Sequence, residues 1–389
     1  MQLDPVDVET CVADDGVREE SGAAPASTPI VQTSLFSFPT FASLIEAMGA
    51  QHKRHLYSRG QNPTVEALER KLATLERGEM CKCFASGMAA ISAVMLGVLK
   101  AGDHVLFVNQ VYGPTLELAA HLQRFGIAHD IQLDADTASV EQALRPNTRL
   151  IWLESPGTMT FGLVDLADLA RLARARGILT CIDNTWATPL LQKPIEMGID
   201  LVVHTATKYL GGHSDLVAGA LVGSAGQMEE IFYRAFLLNG GILAPFDAWL
   251  LLRGLRTLPV RLAQHEADGL AVAEFLRSHP AVRRVFHPAF DENSALARRQ
   301  MRGYSGVLSF ELVHGEFVSV SRVMDALRHF RIAVSWGGVE SVVISPNRGT
   351  NAARLDEQRI PRGLIRLSVG LEGAGVLIED LRVALGQGP

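Results

Sequence analysis

Two residue types, each at the end of an apolar run, carry the chemistry that this chain offers. Lys208 follows Leu201-Val-Val203 and the tetrapeptide His204-Thr205-Ala206-Thr207, and the chain breaks soon after at Gly211-Gly212. Asp183 ends a second apolar run, Ile178 to Ile182. Each run reads as a buried strand. Residues just past such strands stand at the C-terminal edge of a parallel sheet, where an α/β crevice opens. A lysine held out of bulk water there loses proton affinity and becomes an amine nucleophile. Thr205 and Thr207 could serve a phosphate. Each residue also has a plainer reading. Lys208 could be a surface lysine after a strand, and Asp183, followed by Asn184, a helix cap or turn residue.

Read together, a carboxylate and a lysine on neighbouring strand ends supply what pyridoxal phosphate needs. The lysine forms a Schiff base, and the carboxylate keeps the pyridine nitrogen protonated so that the ring accepts electrons. At this length the motifs become specific. Ile182-Asp-Asn-Thr-Trp-Ala-Thr-Pro189 and His204-Thr-Ala-Thr-Lys-Tyr-Leu-Gly-Gly-His-Ser-Asp215 resemble the cofactor motifs of the Cys/Met-metabolism pyridoxal-phosphate enzymes, the trans-sulfuration family. The resemblance runs from about Pro29 to about Leu385. It implies an α/β architecture of PLP-dependent transferase fold type I, with a mostly parallel sheet in a large cofactor domain and a smaller C-terminal α/β domain. The expected division is an N-terminal arm over residues 1–60 that contacts a neighbouring subunit, a PLP-binding domain over 61–250 and a C-terminal domain over 251–389. A homo-oligomer follows, expected as a dimer of dimers.

The resemblance also assigns roles to residues that are ambiguous alone. Arg59, in Tyr57-Ser-Arg-Gly-Gln-Asn-Pro-Thr64, offers a planar fork suited to phosphate, although a loop arginine is usually just solvated. The resemblance implies that Tyr57 and Arg59 reach the neighbouring subunit's cofactor phosphate. Gly60-Gln61 stand where the family usually has Thr-Gly. Ser86 caps a helix from Met88 to Leu99, whose free amides are an anion site or simply an ordinary capped terminus. The resemblance gives Gly87 and Met88 to the phosphate. Tyr112, after the strand Gly102 to Asn109, is either an aromatic lid or a ring stacked on a flat cofactor. The resemblance makes it the stacking residue and a candidate proton shuttle, so Lys208 and Tyr112 are the expected catalytic pair. Arg366 lies in the strand Leu364 to Gly370 on the face opposite Ile365 and Leu367. It needs a partner, either a substrate α-carboxylate held bidentately or an ion pair with Glu372. The resemblance implies that Arg366 and Ser335 bind the substrate carboxylate.

Three positions bear on which bond is cleaved. Pro114, Gly157 in Glu154-Ser-Pro-Gly-Thr-Met-Thr-Phe161, and Trp336 in Ser335-Trp-Gly-Gly338 look more like β-lyases than γ-acting members. The expectation is a carbon–sulfur β-lyase that converts cystathionine, or a similar cysteine thioether, to homocysteine, pyruvate and ammonia. A γ-acting sister (cystathionine γ-lyase, cystathionine γ-synthase or methionine γ-lyase) is the nearest alternative. A cofactor-binding protein without lyase activity and an aminotransferase are the others.

These residues need a scaffold, and the pattern provides one. Strands and helices alternate from about 80 to 225, which argues for a doubly wound sheet. Residues 227 to 279 turn helical, and a smaller α/β module follows Pro280, with a strand at Val307–Leu312 and a helix from Ser321 to His329. The 389 residues are 48% hydrophobic, enough for more than one core. A net charge of −6 offers no basic surface for nucleic acid or anionic membrane. No apolar run approaches the ~20 residues of a membrane span. Cys11, Cys81, Cys83 and Cys181 suit neither a disulfide framework nor zinc, and no metal site is expected. With no signal-like N-terminus, the expected location is the cytoplasm. Residues 1 to about 27 are polar and aperiodic and are expected to be disordered or loosely attached.

Overall fold

The computed structural model describes residues 1–13, 25–290 and 294–386. Twelve strands form two sheets: β1 (Met80–Phe84), β2 (His104–Val108), β3 (Ala128–Gln132), β4 (Thr148–Glu154), β5 (Leu179–Asp183), β6 (Leu201–His204), β7 (Gly219–Gly223), β8 (Val282–Phe286), β9 (Val307–Leu312), β10 (Arg331–Ile332), β11 (Val342–Ile344) and β12 (Leu364–Ser368). The first sheet has seven strands in the order β1-β7-β6-β5-β4-β2-β3. Its centre, from β3 to β6, is parallel, and β7 runs antiparallel to both its neighbours. The central strands are apolar at nearly every position because helices cover both faces. Phe107, Trp152, Cys181 and Val203 enter one core layer, whereas Leu106, Ile151, Ile182 and Val202 enter the other.

The second sheet has five strands in the order β10-β11-β12-β9-β8. One face carries Leu308, Phe310, Val343, Ile365 and Leu367 into a core shared with the helices Leu258–Ser278 and Ala374–Leu385. Strand alternation then turns Arg366 to the opposite face. The 21-residue helix Leu258–Ser278 joins the two units. Its first turns pack in the main core through Leu258 and Leu262, and its last turns in the second through Val272, Ala273 and Leu276. The helix anticipated at 321–329 spans Phe317–Ala326 instead, ending before Leu327, whose backbone is extended.

The N-terminus differs from the loose tail read from sequence. Pro5–Val12 is a helix, capped by the Asp4 side chain, which accepts from the Val6 amide at 3.0 Å. Cys11 is sealed in the main core. Asp7 is buried between Arg77, at 2.9 Å, and Lys193, at 2.8 Å. Asp4-Pro5 is a helix-start signal in the sequence, but the anchors that dock the helix lie on distant segments. Arg256 likewise holds the carbonyl of Ala26 at 2.9 Å. Residues 14–24 of the anticipated tail lie outside the described residues.

Asp7 is the shared counter-charge of two cations, and Lys193 is itself buried. Truncating one member of a buried pair strands the other, at about 3–5 kcal/mol. Asp7→Ala is therefore expected to lower the denaturation midpoint by several degrees. Thermal unfolding followed by circular dichroism measures this, and an unchanged midpoint would show that the helix contributes no stability.

Candidate active site

The C-terminal edge of the large sheet gathers the ionisable groups. β5 ends at Asp183 and β4 at Glu154, and the two residues are direct register partners. Asp183 Oδ1 accepts from the Thr185 amide at 3.0 Å and from the Thr185 hydroxyl. Among the described residues no donor is hydrogen-bonded to Oδ2, so one oxygen is left for a cationic or N–H ligand. Burial raises the Asp183 carboxyl above the usual range, and the Thr185 hydrogen bonds oppose this. Thr185 Oγ1 also accepts from the Thr205 amide at 2.8 Å, which ties the ends of β5 and β6 together.

β6 leads into the turn that carries Lys208. Its amide donates to Thr205 O at 3.2 Å, and Gly212 N donates to its carbonyl at 2.7 Å. Gly212 has φ 75°, a conformation that favours glycine. Lys208 Nζ is hydrogen-bonded to Ser335 Oγ and lies 5.5 Å from the centroid of the Trp336 ring. Burial, with the nearby Arg366 charge, pulls the Lys208 ammonium down to about 8, and Asp183 resists the shift. Ser335 has φ 79°. A serine in the left-handed region is strained, and such strain collects at functional sites.

Arg366 comes from β12 of the other sheet. It is 9% exposed, yet its guanidinium forms no hydrogen bond or ion pair with any described residue. Burial draws it down to about 10, and Tyr112 and Glu154 counter this. The alternative partner read from sequence is taken: Glu372 accepts the Ser341 amide at 2.7 Å and the Ser341 hydroxyl at 2.8 Å. A buried guanidinium without a partner is costly unless a ligand anion completes it. Tyr112, 43% exposed, precedes the helix Gly113–Leu122. Burial raises its phenol, while the Arg366 charge lowers it.

The helix Gly87–Val98 brings its N-terminus to the same edge. The Ser86 hydroxyl accepts only from Ala89, at 3.1 Å, which leaves the Gly87 and Met88 amides to a ligand. A Cβ on Gly87 would lie 2.0 Å from Thr205 Oγ1, so the glycine keeps a small cradle open there. These features fit a phosphorylated pyridine: free amides beside Thr205 for the phosphate, a free Asp183 oxygen for the ring nitrogen and a depressed amine for the aldehyde. Thr207 flanks the turn, but its hydroxyl is engaged with Ala218, accepting from N at 3.0 Å and donating to O at 3.2 Å. Tyr57 and Arg59 lie apart on an exposed loop, where the guanidinium carbon is 5.8 Å from the Tyr57 ring centroid. Among the described residues neither is hydrogen-bonded to any member of the cluster. Glu154 and Thr185 were missed as site residues. The signal for Glu154 is an acidic residue that closes the apolar run Leu150–Leu153.

The comparisons with known proteins agree with this geometry. The profile of the family described as "Cys/Met metabolism PLP-dependent enzyme" matches residues 9–386, and the chain belongs to that family. Its cofactor is pyridoxal 5'-phosphate. The cystathionine gamma-lyase of Bacillus subtilis (strain 168) is 38% identical over 384 residues, covering 97% of this chain and 98% of the relative. The cystathionine beta-lyase of Lactococcus lactis subsp. cremoris is also 38% identical, over 388 residues, with the same coverage. The crystal structure of cystathionine gamma-lyase from Lactobacillus plantarum complexed with L-serine superposes with a TM-score of 0.89 at 35% identity, covering 98% of each chain.

Two outcomes are expected. Desolvation penalises the charged amine, so the reactive neutral form of Lys208 is populated above about pH 8 rather than above the ordinary 10.5. The rate at which cofactor-free protein captures pyridoxal phosphate should rise with pH to a midpoint near 8. A midpoint above 10 would refute the depression. Arg366→Lys keeps the charge but loses the planar fork. KM for the amino-acid substrate should rise by about 10–100-fold, with a smaller change in kcat, in steady-state assays.

Proposed function

We propose that this chain is a carbon–sulfur β-lyase that converts L-cystathionine, or a related cysteine thioether, to homocysteine, pyruvate and ammonia. The observation that carries this reading is the position of Trp336. Of the three β-lyase-like residues it alone packs against the reacting amine, 5.5 Å from Lys208 Nζ. γ-Elimination requires further proton abstraction at Cβ, and a bulky indole beside the amine narrows its range to Cα. Gly157 has a local cause of its own, since a Cβ there would lie 2.8 Å from Asn109 Nδ2. The γ-acting alternative is supported by the relatives, among them an L-methionine gamma-lyase of Pseudomonas putida at 40% identity and a cystathionine gamma-lyase at the same 38% as a cystathionine beta-lyase.

Bound pyridoxal phosphate supplies an aldehyde and an electron-accepting ring. The Gly87 and Met88 amides with Thr205 would hold its phosphate, joined by Thr207 if its hydroxyl leaves Ala218. Asp183 would keep the ring nitrogen protonated. Arg366 and Ser335 hold the substrate carboxylate, which sets Cα before Lys208. Lys208, in its uncharged form, would remove the Cα proton. Tyr112 or Lys208 then protonates the departing sulfur at Cβ. Released aminoacrylate hydrolyses to pyruvate and ammonia. A protein that merely stored the cofactor would have no need of the unpartnered Arg366.

The active unit in this reading is a homo-oligomer, expected as a dimer of dimers, with residues 1–60 as the arm that contacts a neighbouring copy. Tyr57 and Arg59 would serve the neighbour's phosphate. The helix Phe41–Met48 supports a second copy, because Phe41 is 76% exposed and Ile45 and Met48 are each 51% exposed. The four cysteines are free and buried, which suits a reducing cytoplasm. No helix among the described residues is long and apolar enough to cross a membrane.

The direct test is to incubate holoenzyme with L-cystathionine and identify the keto acid. Pyruvate with homocysteine is expected, whereas 2-oxobutyrate with cysteine would move the chain to the γ-lyases. Trp336→Leu should raise the ratio of 2-oxobutyrate to pyruvate by roughly tenfold or more. An unchanged ratio would remove Trp336 from the argument.

A further inference from the structure

Glu154 is a buried carboxyl that the reaction above does not use. It is 6% exposed and stands at the end of β4, in register with Asp183. Its Oε1 accepts from the Tyr112 amide at 2.6 Å. Its Oε2 has no hydrogen-bond partner among the described residues. Its carbonyl is held by Asn109 Nδ2 at 2.9 Å, and Asn109 itself has φ 70° at the end of β2. Asn109, Glu154 and Tyr112 therefore form a brace between two adjacent strand ends.

Tyr112 needs such a brace. It is the residue before the helix Gly113–Leu122 but gives that helix no side-chain cap. Its phenol is half exposed and has no hydrogen bond to any described residue, so the side chain does not locate itself. Its backbone amide is what ties it to the sheet. A carbonyl could have accepted that amide without the cost of burying a carboxyl. Burial and the Asp183 charge push the Glu154 carboxyl well above its usual range, and glutamine is close in shape to that carboxyl.

We infer that Glu154 is the positioning residue for Tyr112: through the Tyr112 N–H it sets the phenol over the crevice between Asp183 and Arg366. The inference rests on the reading that Tyr112 faces the bound cofactor and shuttles a proton there. It assigns Glu154 no contact with the reacting atoms.

A double-mutant cycle on the holoenzyme tests it, read by kcat, KM, the cofactor dissociation constant and the induced circular dichroism of the bound cofactor. Glu154→Ala should lower kcat on the order of 10–100-fold with little change in KM, because small misplacements at a reacting centre cost that much. It should also alter the induced dichroism. Glu154→Gln keeps an acceptor for the N–H and should recover kcat to within about threefold of wild type. In a Tyr112→Ala background, Glu154→Ala should cost less than about a further twofold, since residues that act as a unit are non-additive. Multiplying losses, a glutamine variant as impaired as the alanine variant, or an unaffected alanine variant would each overturn the inference. The Tyr112→Ala single variant reports on the parent reading. If it leaves kcat and dichroism unchanged, the role of Tyr112 fails, and that of Glu154 with it. If it is impaired while Glu154→Ala is not, only Glu154 is overturned. Should Glu154→Ala fail to fold, Glu154→Asp, which withdraws the carboxyl by one methylene, takes its place in the same cycle.

Discussion

Desolvation at the sheet's C-terminal edge is the constraint on which the rest of the structure depends. Lys208, Asp183, Glu154 and Arg366 are charged types drawn into one poorly hydrated crevice. Burial alone pushes each toward its neutral form. Their mutual placement settles how far each goes: Arg366 helps to neutralise Lys208, whereas Asp183 resists. The result is an amine of lowered proton affinity beside a carboxyl with one free oxygen and a guanidinium with no partner among the described residues. A parallel sheet makes this possible, because its strands end together and present successive side chains at one rim.

The groups stay in place because polar atoms behind them are shared between strands. Glu76, at the end of the helix Pro63–Glu76, accepts from Asn184 Nδ2 at 2.9 Å and pairs with His204 Nε2 at 2.5 Å. It thereby joins the residue after Asp183 to the residue before Thr205. Thr185 makes a second link in front of it. Such fully buried networks rigidify a site, since losing one member leaves the others unpaired. The cost of desolvating the reactive groups is thus supported by hydrogen bonds that never touch a ligand.

The second sheet completes the site rather than merely adding mass. Arg366 and Ser335 both come from residues beyond 330, yet they approach a lysine in the first unit. Arg261, on the connecting helix, donates to Tyr209 O at 2.8 Å and to Gly254 O at 2.8 Å, which fixes that helix to the residue after Lys208. Tyr209 in turn accepts from Gly306 N at 2.9 Å through its hydroxyl. A cavity of about 410 Å³ is lined by both units, by Thr207 and Val217 of the first and Ser335, Trp336 and Val342 of the second.

The amino-acid sequence by itself determined the architecture class and the cofactor, and it set Lys208 and Asp183 just past or at the ends of two neighbouring strands. Those features are local: apolar runs of strand length, residues just past their ends, and motifs contiguous along the chain. Tertiary structure alone decided whether Arg366 is partnered, because that depends on where Glu372 points. It also brought Glu154 and Thr185 into the site, docked the N-terminal helix through Asp7, and placed Trp336 against the Lys208 amine. Each of these rests on contacts between residues far apart in the chain, in a medium whose low polarity exists only once the chain has folded. Spacing along a sequence records which side chains are available, and the burial that sets their protonation and their partners comes from the fold.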